Sequence, residues 1–412
     1  MSQKSNLKKY VAVFVLSMIS SSLYLLPYVK YVFYDALLVG LNATNAQLGE
    51  LLSVYAIVCA IGYIPGGWVA DRFSAKKIII ISTLVTGALN IILAFVMNFQ
   101  MAMVIWALLG LSTSFAYWGA SIKAIRMLGD SSEQGRLYGF FQSFEGLMNT
   151  VSAFVAMGIF TYFASQVAGL KYTLIFYGFM CLLAAVLLYF VYDEKNSVDD
   201  GEEEDKIELK DIGRVLKMPQ TWILAFTLFS IYAVYSGSTL LTPYLTDVIG
   251  ISVGAASIIA IFRTYIARFL FCPVGGFISD KTGQVAKTIL AVAILSGISI
   301  ACFFLISGST PVALVLTVVM VSAALIYMNY GIMWSISEEV RIPRHLYGTA
   351  VGVASIIGYL PDSFMHTIFG NWLDQYGADG YQYIFMFLIG LCVISVITCV
   401  IAMQFKRKNR CV

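Results

Sequence analysis

The sequence predicts an all-α polytopic membrane protein with twelve transmembrane helices in two six-helix bundles, and its composition is the first reason. Of its 412 residues, 59% are hydrophobic and only 12% are charged, whereas a soluble domain is about half apolar and about a quarter charged. Apolar runs of about 20 residues or more, each long enough to cross a bilayer as a helix, recur along the whole chain. We number these predicted spans helix 1 to helix 12. They cover residues 10–34, 46–70, 76–98, 100–127, 137–164, 171–193, 219–247, 251–278, 286–308, 311–337, 346–371 and 381–405.

An internal repeat is the second reason. The stretch GGWVADRFSAKK begins at Gly66, and GGFISDKTGQVAK begins at Gly275. Asp71 and Asp280 in these stretches are 209 residues apart, and the same shift carries Leu137-Tyr138-Gly139 onto Leu346-Tyr347-Gly348. Matches at one fixed shift, in corresponding loops of both halves, indicate a duplicated six-helix unit.

A strongly charged segment separates the two halves. DEKNSVDDGEEEDKIELKDIGR, residues 193–214, interrupts the apolar rhythm between the sixth and seventh spans. Such a segment is typical of a solvated linker, although a dense acidic cluster can also be a binding tail. We therefore predict an N-terminal bundle over residues 1–193, a cytoplasmic charged linker over 194–218 and a C-terminal bundle over 219–412.

The distribution of basic residues predicts the orientation. If twelve spans alternate, nearly all bases in the loops and tails fall on one side, and Lys171 is almost alone on the other. The positive-inside rule then places both termini in the cytoplasm of a multi-pass protein of the inner (plasma) membrane. The net charge of +3 gives no reason to expect nucleic acid, and the seven cysteines lie singly without a CxxC pair. We therefore expect no metal site, no disulfide framework and no cofactor.

The first repeated loop resembles the loop 2–3 signature of the major facilitator superfamily, commonly written GxLaDrxGrkk. The run from Gly67 to Lys77 keeps the acid Asp71, the following base Arg72 and the final lysine pair, while Ser74 replaces the usual glycine and Ala75 the usual base. With twelve spans and a second copy at Asp280, the resemblance covers the whole chain. It implies the major facilitator fold and a secondary transporter in which two bundles rock about a site near the midplane.

The two repeated stretches around Asp71 and Asp280, which we call the acid–base corners, suggest a cytoplasmic gate. We expect the glycine pairs to let helices 2 and 8 approach a neighbour closely. The acids would then bond the positive N-termini of other helices, Asp71 near Leu346 and Asp280 near the start of helix 5. The alternative is that both corners are polar turns that only fix topology. The candidate gate residues are Gly67, Asp71, Arg72, Gly276, Asp280 and Lys281.

Finer resemblance favours the organophosphate:phosphate antiporters and the related organic-anion symporters. YLLPYVKYVF places Lys30 after a tyrosine-rich turn, as those proteins place a substrate-binding base, and YGTAVGVASIIGYLPDSFMHTIFGNWLDQYG follows their glycine-rich helix 11 pattern. Two features depart from the pattern, because helix 7 carries no base and Asp362 and His366 are additions. Drug–proton antiporters fit less well, since Trp106 occupies their arginine position and helix 5 has no proline.

Ionisable residues within predicted spans mark candidate functional positions, because charge is costly in a membrane. Arg263 and Arg268 suit an anionic substrate, since a planar guanidinium can bond two oxygens at once. Five residues apart on an α-helix, they should point about 140° away from each other, and one of them could instead pair with Glu145. Lys30 is a candidate substrate base that could also reach towards the periplasmic interface. Lys123 and Arg126 are expected to be interfacial anchors.

Polar residues also form stripes along two spans. Helix 5 carries Gln142, Glu145, Asn149 and Ser152 at intervals of three, four and three, and helix 11 carries Ser355, Tyr359, Asp362 and His366 at four, three and four. Each spacing gathers polar groups on one helical face, which would line a water-filled pathway or a packed polar seam.

Asp362 and His366 are one turn apart and can share a proton, which makes them the preferred proton-coupling pair. A structural hydrogen bond is the alternative, and Glu145 is the rival proton site. Tyrosines are expected to shape the substrate cavity, although tyrosines also form interface belts or packing. The candidates are Tyr28, Tyr117, Tyr235, Tyr330 and Tyr359.

The leading hypothesis is a monomeric secondary active transporter for a small organic anion (a carboxylate, phosphate ester or sulfonate). It would work by alternating access, coupled to protons or by anion exchange. A multidrug exporter, in which acidic residues bind cations, and a transporter-like membrane sensor are the alternatives. No nucleotide-binding loop, metal cluster or nucleophile elbow indicates an enzyme.

Overall fold

The computed structural model describes residues 3–129, 134–194, 209–343 and 346–408, and within these ranges the chain folds into helices joined by short turns. It divides into two compact units, Met1–Glu202 and Glu203–Val412. Each unit contributes six spans, which keep the numbers helix 1 to helix 12.

In the N-terminal unit, helices 1 and 4 are composite and the others are continuous. Helix 1 consists of Gln3–Leu25, a 3₁₀ turn Val29–Tyr31 and a short helix Tyr34–Leu41. Helix 4 consists of Phe99–Gly110, a π-helical segment Leu111–Trp118 and Gly119–Arg126. The continuous spans are helix 2 (Asn45–Arg72), helix 3 (Ala75–Phe95), helix 5 (Gln134–Tyr162) and helix 6 (Gln166–Val191).

In the C-terminal unit, most spans contain a break. The bounds are helix 7 (Pro219–Gly237, 3₁₀ Ser238–Leu240, Leu241–Asp247), helix 8 (Val253–Ile261, π Phe262–Ile266, Ala267–Thr282), helix 9 (Val285–Ala301, 3₁₀ Cys302–Leu305), helix 10 (Val312–Ile332, 3₁₀ Met333–Ser335, Ile336–Glu339), helix 11 (Tyr347–Gly358, 3₁₀ Leu360–Ser363, Met365–Tyr376) and helix 12 (Gly380–Lys408).

Ten stretches of the described residues are long and apolar enough to cross a membrane. One of them, Ala350–Arg407, is 58 residues long and contains most of helices 11 and 12. Helix 1 is not among the ten. It begins with charged residues, and its membrane half carries Ser17, Ser20, Ser21 and Ser22, all of which lower its mean hydropathy.

Short polar side chains begin many of the helices. Thr44 and Gln47 form a reciprocal capping box at the start of helix 2, and Asn98 and Ser252 accept hydrogen bonds from the first turns of helices 4 and 8. Such caps satisfy backbone N–H groups that a helix leaves unbonded at its N-terminus. Ser74 caps helix 3 in the same way, so the serine that departs from the family signature has a local structural role.

The first glycine of each repeated pair lies where two helices touch. A Cβ atom added to Gly66 would lie 2.7 Å from the carbonyl oxygen of Phe115 on helix 4, and one added to Gly275 would overlap the carbonyl oxygen of Met328 on helix 10. The expected close approach of helices 2 and 8 to a neighbour is therefore present at Gly66 and Gly275. The second glycine differs, because a Cβ on Gly276 would meet nothing within 4 Å.

Each unit also uses an acid to cap one helix. Glu194 accepts hydrogen bonds from the Ser74 hydroxyl and, at 2.8 Å, from the backbone N–H of Ala75 at the start of helix 3. Glu339 accepts one at 2.6 Å from the backbone N–H of Ala286 in the first turn of helix 9. A carboxylate here is favoured by the positive end of the helix dipole.

These contacts correct the expectation that the whole segment 193–214 is solvated. Glu194 is held against helix 3, because a helix N-terminus needs an acceptor. At the other end, the chain enters the helix Leu209–Leu216, in which Val215, just beyond the segment, is fully buried in the C-terminal core. The acidic cluster at residues 195–208 lies outside the described residues.

We predict that Gly66→Ala and Gly275→Ala each destabilise the protein by about 1–3 kcal/mol, because the added methyl group overlaps a backbone carbonyl. Thermal unfolding of purified protein measures this loss. Gly276→Ala is the matched control and should be neutral or mildly stabilising, since its methyl group enters open space and reduces backbone freedom. Equal melting temperatures for all three variants would contradict the packing role of the first glycine.

Candidate functional site

A buried polar cluster joins helices 7 and 11 in the C-terminal unit. Asp362 and His366 are 4% and 2% exposed. The hydroxyl of Tyr232 donates to Asp362 Oδ2 at 2.6 Å, and the hydroxyl of Ser236 donates to Asp362 Oδ1 at 2.6 Å. Ser236 Oγ also lies 2.8 Å from His366 Nε2. The carboxylate therefore lies in a set of short hydrogen bonds that offsets its burial.

The cluster orders its protons through Ser236. A serine hydroxyl has one hydrogen. When Ser236 donates it to Asp362, the contact with His366 requires that His366 Nε2 carry a hydrogen and donate it to Ser236 Oγ. The direct distance from His366 Nε2 to Asp362 Oδ1 is longer, at 3.6 Å. The hydroxyl thus forms a bridge along which a proton can pass between imidazole and carboxylate.

The break in helix 11 presents Asp362 to helix 7. Asp362 lies in the 3₁₀ turn Leu360–Ser363, directly after Pro361, and His366 lies in the first turn of the helix that follows. Proline cannot donate the backbone hydrogen bond that would continue the helix. The even stripe expected on helix 11 is therefore interrupted at this point, although Asp362 and His366 still face the same neighbour.

A group of tyrosines extends from this cluster to Arg268. The ring of Tyr232 contacts those of Tyr359 at 4.6 Å and Tyr235 at 5.7 Å between centroids, and Tyr235 contacts Tyr330 at 4.5 Å. The Arg268 guanidinium lies over the Tyr330 ring, 5.2 Å from its centroid. Arg268 is exposed as a residue, while its guanidinium is held against the ring.

Arg263 has a different environment on the same helix. It is 2% exposed, and its guanidinium donates to the hydroxyls of Thr242 at 3.2 Å and Ser238 at 3.5 Å on helix 7. Of the two arginines, Arg268 is thus the more exposed.

The angle of about 140° expected between the two arginines assumes a regular α-helix. A π-helical segment, Phe262–Ile266, contains Arg263 and ends just before Arg268. Its hydrogen bonds span five residues instead of four, so the turn is wider than the one on which that angle is based.

The N-terminal unit has its own group of tyrosines beside a base. Lys30 lies in the 3₁₀ turn Val29–Tyr31 and is 4% exposed, so it does not extend to the surface of the unit. The ring of Tyr28 contacts that of Tyr31 at 5.2 Å and that of Tyr55 at 5.9 Å. Tyr117, in the π-helical segment of helix 4, is fully buried.

The polar stripe of helix 5 packs against the serines of helix 1. Ser20 donates to Glu145 Oε1 at 2.8 Å, and Ser21 donates to Asn149 Oδ1 at 2.7 Å. Of the two expectations for this stripe, the described side chains form the packed polar seam. Gln142 lies outside the described side chains.

The structure describes the side chains of only some candidate gate residues. Arg72 and Lys281 are exposed near the ends of helices 2 and 8. Gly67 and the side chains of Asp71 and Asp280 lie outside the part of the chain whose side chains are described.

Lys123, expected to be an interfacial anchor, donates to the carbonyl oxygens of Ala70 at 2.9 Å and Phe73 at 3.4 Å. It therefore caps the C-terminal end of helix 2, where carbonyl groups lack helical partners. Arg126 lies outside the described side chains.

Sequence reasoning assigned none of Tyr232, Ser236, Ser238 or Thr242 to a site. A signal was available for two of them. Tyr232 and Ser236 are four residues apart, and so are Asp362 and His366. Pairs with the same spacing on two neighbouring helices can meet along one seam.

Proteins of similar sequence include inner membrane proteins and transporters. It is 28% identical over 413 residues to "Inner membrane protein YqcE" of Escherichia coli (strain K12), which covers 98% of this chain and 96% of that protein. It is 24% identical over 394 residues to "Probable galactarate/D-glucarate transporter GudP" of Bacillus subtilis (strain 168), with 82% and 80% coverage. A shorter match, 28% identical over 173 residues, covers 42% of this chain and 38% of "Probable sulfoacetate transporter SauU" of Cupriavidus necator.

A solved structure shares the fold. The inward-facing, unoccupied form of a bacterial homologue of the human lysosomal transporter Spinster superposes with a TM-score of 0.74 over 99% of both chains, at 15% sequence identity. At this identity the similarity concerns the fold alone.

Two six-helix units with ionisable residues buried in their spans define a multi-pass inner-membrane transporter of small molecules. The family model described as Major Facilitator Superfamily matches residues 10–365. The chain belongs to this superfamily, and its activity is transport rather than catalysis.

We predict that Asp362→Asn changes the titration of His366, because the bridging serine loses its charged acceptor. The sequence has two histidines, His345 and His366, so ¹⁵N-histidine NMR in nanodiscs follows both signals, and His366→Gln assigns them. Asp247→Asn is the control, since Asp247 accepts from Tyr381 at 2.7 Å elsewhere in the unit. An unchanged His366 titration in Asp362→Asn would rule out the bridge.

Proposed function

We propose that this transporter moves a small organic anion, a carboxylate or a sulfonate, by alternating access driven by protons or by anion exchange. One arrangement of residues in the C-terminal unit supports the proposal. An exposed arginine on a tyrosine ring and a buried Asp–Ser–His bridge lie at two ends of one tyrosine group. An anion site and a proton site in one bundle are the minimum that such coupling needs.

The cationic groups fit an anionic substrate. Arg268 presents a planar donor that suits carboxylate and sulfonate oxygens. Lys30 is a compact charge among tyrosines in the other unit. The relatives are named for galactarate, D-glucarate and sulfoacetate, which are all organic anions, and this supports the same substrate class.

The buried polar cluster of helices 7 and 11 fits proton coupling. Asp362 is buried, so its ionised form depends on the three polar groups around it. Protonation of the cluster removes charge from the interior and would favour one facing state of the transporter. His366 supplies an imidazole, the side chain whose unperturbed pKa lies nearest to physiological pH. Glu145, bonded to Ser20, is the rival site in the N-terminal unit.

A liposome assay tests the proposal. We expect galactarate, D-glucarate or sulfoacetate to enter proteoliposomes in a pH-dependent way. Uptake should fall about tenfold or more in Arg268→Gln, because a charge-assisted hydrogen bond is lost. Asp362→Asn should lose proton-driven uptake but keep exchange of labelled for unlabelled anion. Solid-supported membrane currents and radiolabel exchange together cover electrogenic and electroneutral transport.

Lys171→Gln is the matched charge control and should transport normally, since this lysine lies over the Phe95 ring at 4.7 Å, away from the tyrosine group. Full uptake by Arg268→Gln would overturn the arginine assignment. Transport of cationic dyes but of no anion would instead favour the multidrug exporter. Specific anion binding without any transport would favour the membrane sensor.

We further infer that both acid–base corners face the cytoplasm, as the positive-inside rule predicts, and act as gates. In a cysteine-free background, Arg72→Cys and Lys281→Cys should react with an impermeant maleimide in inside-out vesicles only, and Lys171→Cys in intact cells only. Asp71→Asn and Asp280→Asn should slow transport without weakening anion binding. The opposite labelling pattern would reverse the orientation, and unchanged transport would leave the corners as topological turns.

A further inference from the structure

We propose that Tyr232 couples the two sites of the C-terminal unit, so that protonation of Asp362 changes the affinity with which Arg268 binds an anion. The inference deepens the proposed function and rests on it. It assigns a positioning role to a residue that contacts the proton site with its hydroxyl and the tyrosine group with its ring.

The geometry places Tyr232 between the two sites. Its hydroxyl donates to Asp362 Oδ2 at 2.6 Å, and its side chain is buried, with the residue 6% exposed. On the other side its ring contacts Tyr235, whose ring contacts Tyr330, the residue beneath Arg268. The rings of Tyr327 and Tyr235 are also in contact, at 5.6 Å, so the group is continuous.

The chemistry supplies a reason for coupling. A hydrogen bond to a carboxylate is charge-assisted and roughly twice as strong as one between neutral groups. Protonation of Asp362 therefore weakens the attachment of the Tyr232 hydroxyl. Because packed interiors transmit small displacements, a change in the Tyr232 ring alters its contact with Tyr235 and, through Tyr330, the support of Arg268. By linkage, anion binding must change proton affinity by the same factor.

The titratable groups that face Asp362 come from two elements. His366 lies on its own helix, and Tyr232 comes from helix 7, which also supplies the neutral Ser236. A direct electrostatic effect of Asp362 on the arginines is the rival explanation, and it does not need the Tyr232 hydroxyl. Tyr232→Phe separates the two, because it keeps the ring and every charge but removes the hydrogen bond.

The test measures anion affinity at two pH values. Galactarate and sulfoacetate serve as probes for calorimetric titration of the purified full-length protein in nanodiscs, at about pH 4 and about pH 8. The lower value is needed because the hydrogen bonds from Tyr232 and Ser236 favour the ionised carboxylate of Asp362, which takes up a proton only in acid. In the wild-type protein we expect the two dissociation constants to differ by about fivefold or more. In Tyr232→Phe the ratio should fall to within about twofold, while the anion still binds.

Tyr244→Phe is the matched control. Tyr244 is another buried tyrosine of helix 7, 2% exposed, but its ring packs against Phe303, Tyr381 and Phe385. This variant should keep the wild-type ratio. The double variant Tyr232→Phe/Asp362→Asn should show the same pH dependence as Asp362→Asn alone, because the two residues act through one bond.

The outcomes separate the inference from the proposed function. Binding with a wild-type pH ratio in Tyr232→Phe would overturn the coupling role and leave anion transport standing. Binding to the wild-type protein that does not vary with pH would do the same. Failure of every anion to bind would overturn both the inference and the proposed function.

Discussion

Within a bilayer no water is available to solvate a charge, so each ionisable side chain in a span needs partners from the protein. This constraint determines which helices must lie together. Asp362 accepts hydrogen bonds from Tyr232 and Ser236 of helix 7. Arg263 donates hydrogen bonds to Ser238 and Thr242 in the next turns of the same helix. Helix 7 is therefore the element on which the polar interior of the C-terminal unit is organised. In the N-terminal unit helix 1 has the corresponding role, since its serines hold Glu145 and Asn149.

The features that were predictable from the sequence are the local and periodic ones. Span length, the 209-residue repeat and the polar stripes of helices 5 and 11 can all be read from neighbouring residues. The partners of those stripes could not be predicted, because they depend on which helices meet. Ser74 and Glu194, which bond across 120 residues, are an example. The π-helical turn that contains Arg263 could not be predicted either, because no residue in FRTYI is specific to a π-helix.

The two units share a framework and differ in their polar chemistry. Each has a glycine pressed against a backbone carbonyl, at Gly66 and Gly275, which the 209-residue shift relates. Each also has a carboxylate that caps the third helix of its unit, but Glu194 follows helix 6 whereas Glu339 ends helix 10, so these two acids are not copies of each other. The ionisable residues are not repeated in this way. Lys30 lies in a turn of the first half, whereas Asp362 lies in a turn of the second. The repeat therefore accounts for the glycine contacts and not for the ionisable residues of either unit.

The π-helical turn of helix 8 has a consequence for comparison with other transporters. A wide turn holds one residue more than an α-helical turn, so it is the structural form of a single-residue insertion within a helix. In a relative whose helix 8 is α-helical throughout, the position that faces the tyrosines is offset by one from Arg268. A gap-free alignment would then pair this arginine with a residue on a different face. Basic residues of helix 8 in this superfamily should therefore be matched by superposition around Phe262–Ile266, with sequence register as a secondary guide.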